Sequence, residues 1–249
     1  MIEEDVITEA RRIIEVGQSQ GIVLRLLGGV AIGIRCPSAK NSAIARKYPD
    51  IDVVGLKKDS RVIRNLFASM GYSPNDMFNA LRGGSRLMFF DLQNKRRVDI
   101  FLDCFDMCHK IDLRNRLSID PLTIPLADML ATKLQIFQTN MKDIKDLVTI
   151  LLDRDVGQSD KPDIINGAYL AELCADDWGM YKTFTLVIDK TLAVVDTFEI
   201  TPSQKETVKA RLKRIVGMIE AQPKSFNWKM RAKIGERKVW YKLPEDLAE

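Results

Sequence analysis

Apolar residues fall at helical spacing at Val6, Ile7, Ala10, Ile13 and Ile14, which predicts an amphipathic helix over residues 3–17. The run Ile22–Leu27, interrupted only by Arg25, reads as a buried strand that breaks at Gly28-Gly29 before a short apolar segment, Val30 to Ile34. Residues 36–49 are a polar loop with proline near both ends, and Ile51 to Leu56 is a second strand. Lys57 to Ser60 gives a turn and a cap for a helix marked by Val62, Ile63, Leu66, Phe67 and Met70, which stops at Gly71. Strands over 78–82, 86–92 and 97–104, with a tight turn at Asn94-Lys95, predict an antiparallel meander. Residues 105–118 read as an irregular polar loop, and 122–125 as a short terminal strand.

From Leu126 onward the period is helical. One helix starts at Leu126 and a second spans Met141 to Asp153, with Ile144, Leu147, Val148, Ile150 and Leu151 as its apolar face. Gly157 to Pro162 is the best linker. Beyond it, residues 163–220 carry three apolar stripes, with Thr201-Pro202-Ser203 opening the last helix. Such stripes are most simply the core of a bundle. The expected fold class is α/β (α+β): a mixed-sheet domain over 1–124 followed by a C-terminal helical domain over 125–249.

The chain of 249 residues is 46% hydrophobic and 29% charged, ordinary values for a globular protein. It lacks an apolar run long enough to span a bilayer and a signal-peptide pattern at its start, so it reads as cytoplasmic, with no membrane partner. Cys36, Cys104, Cys108 and Cys174 lack the spacing of a zinc site and read as reduced structural thiols. His109 is the only histidine, expected in a loop or on the surface. Net charge is +4, but Lys205–Lys242 holds twelve Lys and Arg against Glu206, Glu220 and Glu236. That stretch attracts polyanions without reading sequence. The tail around Phe226, Trp228, Trp240 and Tyr241 could stack on single-stranded nucleic acid, but exposed tryptophans are costly, so docking of the tail on the body is expected.

The chemistry-bearing stretch is residues 26–52. A glycine pair between a strand and a helix lets the backbone approach a ligand and leaves helix N–H groups facing an anion. Asp50 and Asp52, two apart along an extended chain, share a face, and adjacent carboxylates repel unless a cation lies between them. A phosphate turn beside a pair of metal-binding carboxylates points to nucleotide chemistry. Downstream, Asp99 interrupts the otherwise apolar strand Val98–Leu102, with Asp103 as a second candidate on the same face. The alternative for Asp99 is an ion pair with Arg96, Arg97 or an arginine of the neighbouring strand.

The order Gly28-Gly29, Arg46-x-x-x-Asp50-x-Asp52, then a strand aspartate and the segments P-L-A-D-x-L-A-x-K-L and K-D-x-x-D-L resembles the nucleotidyltransferase-fold superfamily over residues 22–153. The nearest likeness is to its small prokaryotic branch, the aminoglycoside nucleotidyltransferases and the abortive-infection type nucleotidyltransferase toxins. The chain departs from the pattern at Tyr48, where those families often have threonine. The resemblance implies a Mg²⁺-dependent enzyme that moves an NMP from an NTP to an acceptor hydroxyl and releases pyrophosphate. By carry-over, Asp50, Asp52 and Asp99 would be catalytic and hold two Mg²⁺ ions, and Gly28, Gly29, Arg46 and Lys133 would bind the nucleotide. The other fate for Lys133 is a solvated helix lysine. The acceptor could be a small molecule, a tRNA or a protein. The alternatives are a toxin with the same chemistry and an antitoxin partner, or a non-catalytic nucleotide-binding module.

Overall fold

In a computed structural model, which describes residues 2–243, the chain is a mixed α/β protein that divides into two units. The sheet unit comprises Met1–Arg35, Arg46–Phe105 and Ile111–Pro125, and the helical unit Cys36–Ala45, Asp106–Lys110 and Leu126–Glu249.

The sheet unit opens with α1 (Val6–Ser19), whose N-cap Asp5 accepts from the Thr8 backbone. Then come β1 (Leu24–Leu27), α2 (Gly28–Arg35), β2 (Ile51–Gly55), α3 (Ser60–Ser69), β3 (Ser73–Pro74), α4 (Asp76–Arg82), β4 (Arg86–Asp91) and β5 (Arg96–Leu102). The sheet order is β1-β2-β5-β4-β3, with β2 and β5 parallel and the other pairs antiparallel. Thr123 extends it by bridging in parallel to Leu26 of β1, as the short terminal strand predicted there implies.

Strand parity separates two faces. Leu24, Leu26, Val53, Val98, Ile100, Leu87 and Phe89 point one way and are buried. Helices α1 and α3 cover them: a side chain on Gly17 of α1 would press on Leu24, one on Gly55 of β2 would meet Ile63 of α3, and Phe67 of α3 stacks on Phe89 at 5.0 Å. Near this face lies a buried polar network. Glu9 takes a bidentate pair from Arg12 and a hydrogen bond from the Tyr72 hydroxyl, contacts that together outweigh burial and lower its pKa. Arg96 holds Asp91 at 2.7 Å and donates to the Glu3 carbonyl at 2.6 Å, which ties down the start of the chain.

One predicted strand is a helix. Residues 78–82 lie in α4, capped by Asn75, which accepts from the Phe78 backbone at 3.0 Å. The Asn79 side chain then does what a strand backbone would have done: its amide accepts from Met88 N at 2.7 Å and donates to Met88 O at 3.0 Å. The edge strand of the meander is instead β3, where a proline is tolerated.

The segment read as an irregular polar loop contains β6 (Cys104–Asp106) and β7 (Lys110–Asp112), and it buries Ile111, Leu113 and Leu117. In the helical unit, α5 (Leu126–Leu134) and α6 (Met141–Asp153, capped by Asn140) precede β8 (Asp155–Gly157) and β9 (Ile164–Asn166). Ile164 and Ile165, predicted as helical, pair in parallel with β8, and Asn166 ends that strand by capping the next helix. The run Gly157–Pro162 therefore joins two paired strands of one unit. Helices α7 (Gly167–Asp176), α8 (Trp178–Val194), α9 (Pro202–Ala221) and α10 (Phe226–Ile234) follow. Thr201 and Gln204 close a reciprocal capping box on α9, the start that Thr-Pro-Ser announced.

The tail docks through its second aromatic pair, while Phe226 stays exposed. Trp240 donates to the Thr183 hydroxyl at 3.1 Å and meets Trp178 edge-on, and Tyr241 stacks on Phe137 at 3.7 Å. Its last residues, 244–247, lie outside the described ones. His109 lies in the loop between β6 and β7, but not at the surface: it is 5% exposed, its Nε2 lies 2.8 Å from the Thr183 hydroxyl, and burial lowers its pKa. No helix among the described residues is long and apolar enough to cross a membrane.

Candidate functional site

The second face of the sheet carries the charge. Asp52 of β2 lies opposite Asp99 of β5 in the parallel register, and Asp50 immediately precedes β2. Arg97 and Asp99 alternate on β5, so Asp50, Asp52, Arg97 and Asp99 gather on one side of two adjacent strands. Arg86 of β4 joins them from the antiparallel neighbour.

Asp99 is the buried member, its side chain 1% exposed. Its Oδ1 accepts from Arg86 Nε at 3.0 Å, and Arg86 Nη2 lies 3.0 Å from the same oxygen. Arg97 Nε stands 2.9 Å from Asp99 Oδ2, close enough for an ion pair but too poorly aligned for a hydrogen bond. Asp99 Oδ2 is thus a buried carboxylate oxygen with no hydrogen-bond donor. Arg97 Nη2 donates to Asp50 Oδ2 at 3.2 Å, and both side chains are about one-third exposed. The arginine partners weighed for Asp99 are therefore present in Arg97 and Arg86, while Arg96 is taken by Asp91. Asp103 has left the group: it adopts a left-handed φ of 64° after β5 and accepts from Lys57 N at 2.8 Å, which makes it a corner residue.

The glycine pair forms the first turn of α2. Gly28 has φ of 67°, and a Cβ there would collide with the Asp52 carboxylate, so glycine serves both the left-handed backbone and the close approach of Asp52. The positive end of α2 favours a carboxylate at that point. Gly29 and Gly33 lie one turn apart and leave a groove on α2. The Arg46 guanidinium lies against Gly29, the Tyr48 ring lies against Gly33, and Arg46 stacks over the Tyr48 ring at 5.0 Å. Tyr48, the departure from the resembled pattern, thus serves as a platform for Arg46. The Gly-x-x-x-Gly spacing in the sequence is the signal that could have announced this groove. A shallow cleft of about 830 Å³ opens beside Tyr48 and Pro49, bordered by Glu3, Glu4, Asp5 and Lys95.

Of the predicted site residues, Gly28, Gly29, Arg46, Asp50, Asp52 and Asp99 all belong to the sheet unit. Lys133 belongs to the helical unit and is not a solvated lysine. Its ammonium lies 3.1 Å from Asp143 Oδ1 and 2.9 Å from Asp146 Oδ2, with the side chain 13% exposed. Arg86 and Arg97 are the additions, since their convergence on Asp99 depends on strand register rather than on spacing along the chain.

Carboxylates suit a hard divalent cation, and the undonated Asp99 Oδ2 is an acceptor such an ion would satisfy. The carboxylate chemistry of this face suits Mg²⁺, but no group of three His, Cys, Asp or Glu side chains placed to hold a metal ion is found among the described residues. No protein-family model matches the chain, and no curated protein matches it.

Proposed function

We propose that the protein is a metal-dependent nucleotidyltransferase whose site is the charged face of the sheet unit, a nucleotidyltransferase-like domain followed by a helical C-terminal domain. The observation that carries this reading is the facing pair Asp52 and Asp99, with one buried Asp99 oxygen lacking a donor, beside a helix start that only glycine permits.

In this reading the triphosphate lies at the start of α2. Backbone N–H groups after Gly28 and Gly29 bind its oxygens, and Arg46, held by Tyr48, balances charge that develops on the leaving pyrophosphate. Mg²⁺ held by Asp50, Asp52 and Asp99, two ions on the resemblance, would supply charge neutralisation at the phosphates and a more acidic acceptor hydroxyl. The acceptor oxygen bonds to the α-phosphorus as the bond to the bridging oxygen breaks. Pyrophosphate departs, and Asp99 takes the hydroxyl proton as general base. Arg86 fixes the orientation of Asp99 through Oδ1. Lys133, engaged by Asp143 and Asp146, supports its own unit rather than the phosphates. The acceptor is a small molecule, a tRNA or a protein, and the setting is cytoplasmic.

The test is the fate of an α-labelled NTP offered with Mg²⁺ to separated RNA, protein and small-molecule fractions of a cell extract. The reading expects label in one fraction with release of pyrophosphate, and none with Asp50→Ala/Asp52→Ala. Label that never leaves the nucleotide, in any fraction, contradicts it.

A further inference from the structure

Two arginines hold Asp99, and they hold it differently. Arg86 is fixed: it meets Asp99 Oδ1 through two nitrogens, and its guanidinium lies over Phe101 at 4.7 Å and Phe78 at 5.8 Å. Flat contact with aromatic faces adds to the ion pair and restricts the side chain. Arg97 is loosely held. It is 36% exposed, makes one hydrogen bond to Asp50, itself about one-third exposed, and reaches Asp99 Oδ2 without alignment. Its guanidinium nevertheless spans two of the carboxylates proposed to bind metal, and both oxygens it touches are ones that would ligate.

We infer that Arg97 is the resting counter-cation of this site, that it must leave Asp50 and Asp99 before a divalent ion binds, and that it therefore sets the site's affinity for metal. This rests on the reading of Asp50, Asp52 and Asp99 as metal ligands. Like charges so close repel, so a metal ion and the Arg97 guanidinium compete for the same oxygens. Asp99 is matched by Arg86 and Arg97, and Asp50 by Arg97. When Arg97 swings away, negative charge is exposed for the incoming ion, and because the Arg97 side chain is partly exposed on the sheet face it can turn outward. Arg86 stays and keeps Asp99 aimed.

The experiment is calorimetric titration of MnCl₂ into the wild-type chain, Arg97→Gln, Arg86→Gln and Asp50→Asn/Arg97→Gln, each first checked for folding by circular dichroism. Arg97→Gln is expected to bind Mn²⁺ at least about tenfold more tightly than wild type, a gain that the Asp50→Asn change cancels. Arg86→Gln is expected to bind no more tightly than wild type, because Asp99 loses its orientation. If wild type binds Mn²⁺ and Arg97→Gln binds no better, the inference is overturned and the metal site stands. If Arg86→Gln gains as much as Arg97→Gln, the gain is one of net charge and the role given to Arg97 is overturned. If neither wild type nor Arg97→Gln binds Mn²⁺ at millimolar concentration, the inference and the nucleotidyltransferase reading fall together.

Discussion

Two acid–base clusters, one in each unit, look alike in composition and differ in closure. Lys133 in the helical unit faces Asp143 and Asp146, both within about 3 Å and all three largely shielded from water. Asp99 in the sheet unit faces Arg86 and Arg97, yet one of its oxygens has no hydrogen-bond donor although it is buried. A buried charge held between two partners contributes to holding helices in place, while a buried oxygen with an ion pair but no hydrogen-bond donor is an acceptor not fully satisfied. The first cluster is finished as it stands. The second keeps one buried acceptor that an added cation could satisfy. The lesson is that the alignment of each hydrogen bond, more than the count of charges, separates a structural ion cluster from a candidate site.

The sharpest way to break the comparison is to open the closed cluster. Lys133→Ala leaves Asp143 and Asp146 without their cation and is expected to cost about 3 kcal/mol of unfolding free energy, measured by urea denaturation. The surviving folded protein keeps its nucleotide affinity. Next in size is Gly28→Ala, which imposes a left-handed backbone on alanine and drives its Cβ into Asp52. A loss of about 2 kcal/mol is expected, with loss of metal-dependent nucleotide binding in the same titrations. Asp99→Asn should reverse the pattern. It keeps an acceptor for Arg86 and removes the undonated carboxylate charge, so the expected change in stability is below about 1 kcal/mol while nucleotide binding with Mg²⁺ is lost. If Asp99→Asn destabilises as much as Lys133→Ala, both clusters are structural.

The smallest effect concerns pH. Burial lowers the pKa of His109 below its ordinary 6.5, with Lys242 acting the same way and Asp177 opposing. The folded chain then binds fewer protons than the unfolded chain around and below pH 6.5, so His109 contributes stability above that value that is lost as pH falls. Thermal unfolding midpoints should decline between pH 7 and pH 5.5, and His109→Gln should flatten the decline. A variant with the same slope as wild type removes His109 from the account.

What the sequence disclosed follows the reach of each signal. Period-two alternation placed Asp52 and Asp99 on strands, period 3.6 placed α6 on Met141–Asp153, and Thr201-Pro202-Ser203 opened α9. These signals are local. The strand predicted at 78–82 failed because Asn79 supplies the contacts to Met88 from a helix, a substitution of side chain for backbone that an apolar pattern does not carry. The hold of Arg86 on Asp99 spans thirteen residues and depends on antiparallel register, so spacing could suggest a neighbouring arginine without naming it. Tyr48 read as a departure from a pattern, and its use as a platform for Arg46 emerges only once Gly29 and Gly33 form one groove. His109 was read from its solitude in the chain, and its burial follows from Thr183, seventy-four residues away.

The open cluster is proposed to bind a nucleotide through metal. The most direct test is calorimetric titration of ATP, GTP, CTP and UTP into the wild-type chain and Asp50→Ala/Asp52→Ala, with Mg²⁺ and with EDTA. At least one nucleotide is expected to bind wild type in Mg²⁺, none in EDTA, and none is expected to bind the double variant, which remains folded. Binding that persists in EDTA or in the folded double variant, or no binding of any nucleotide to wild type, contradicts the proposal.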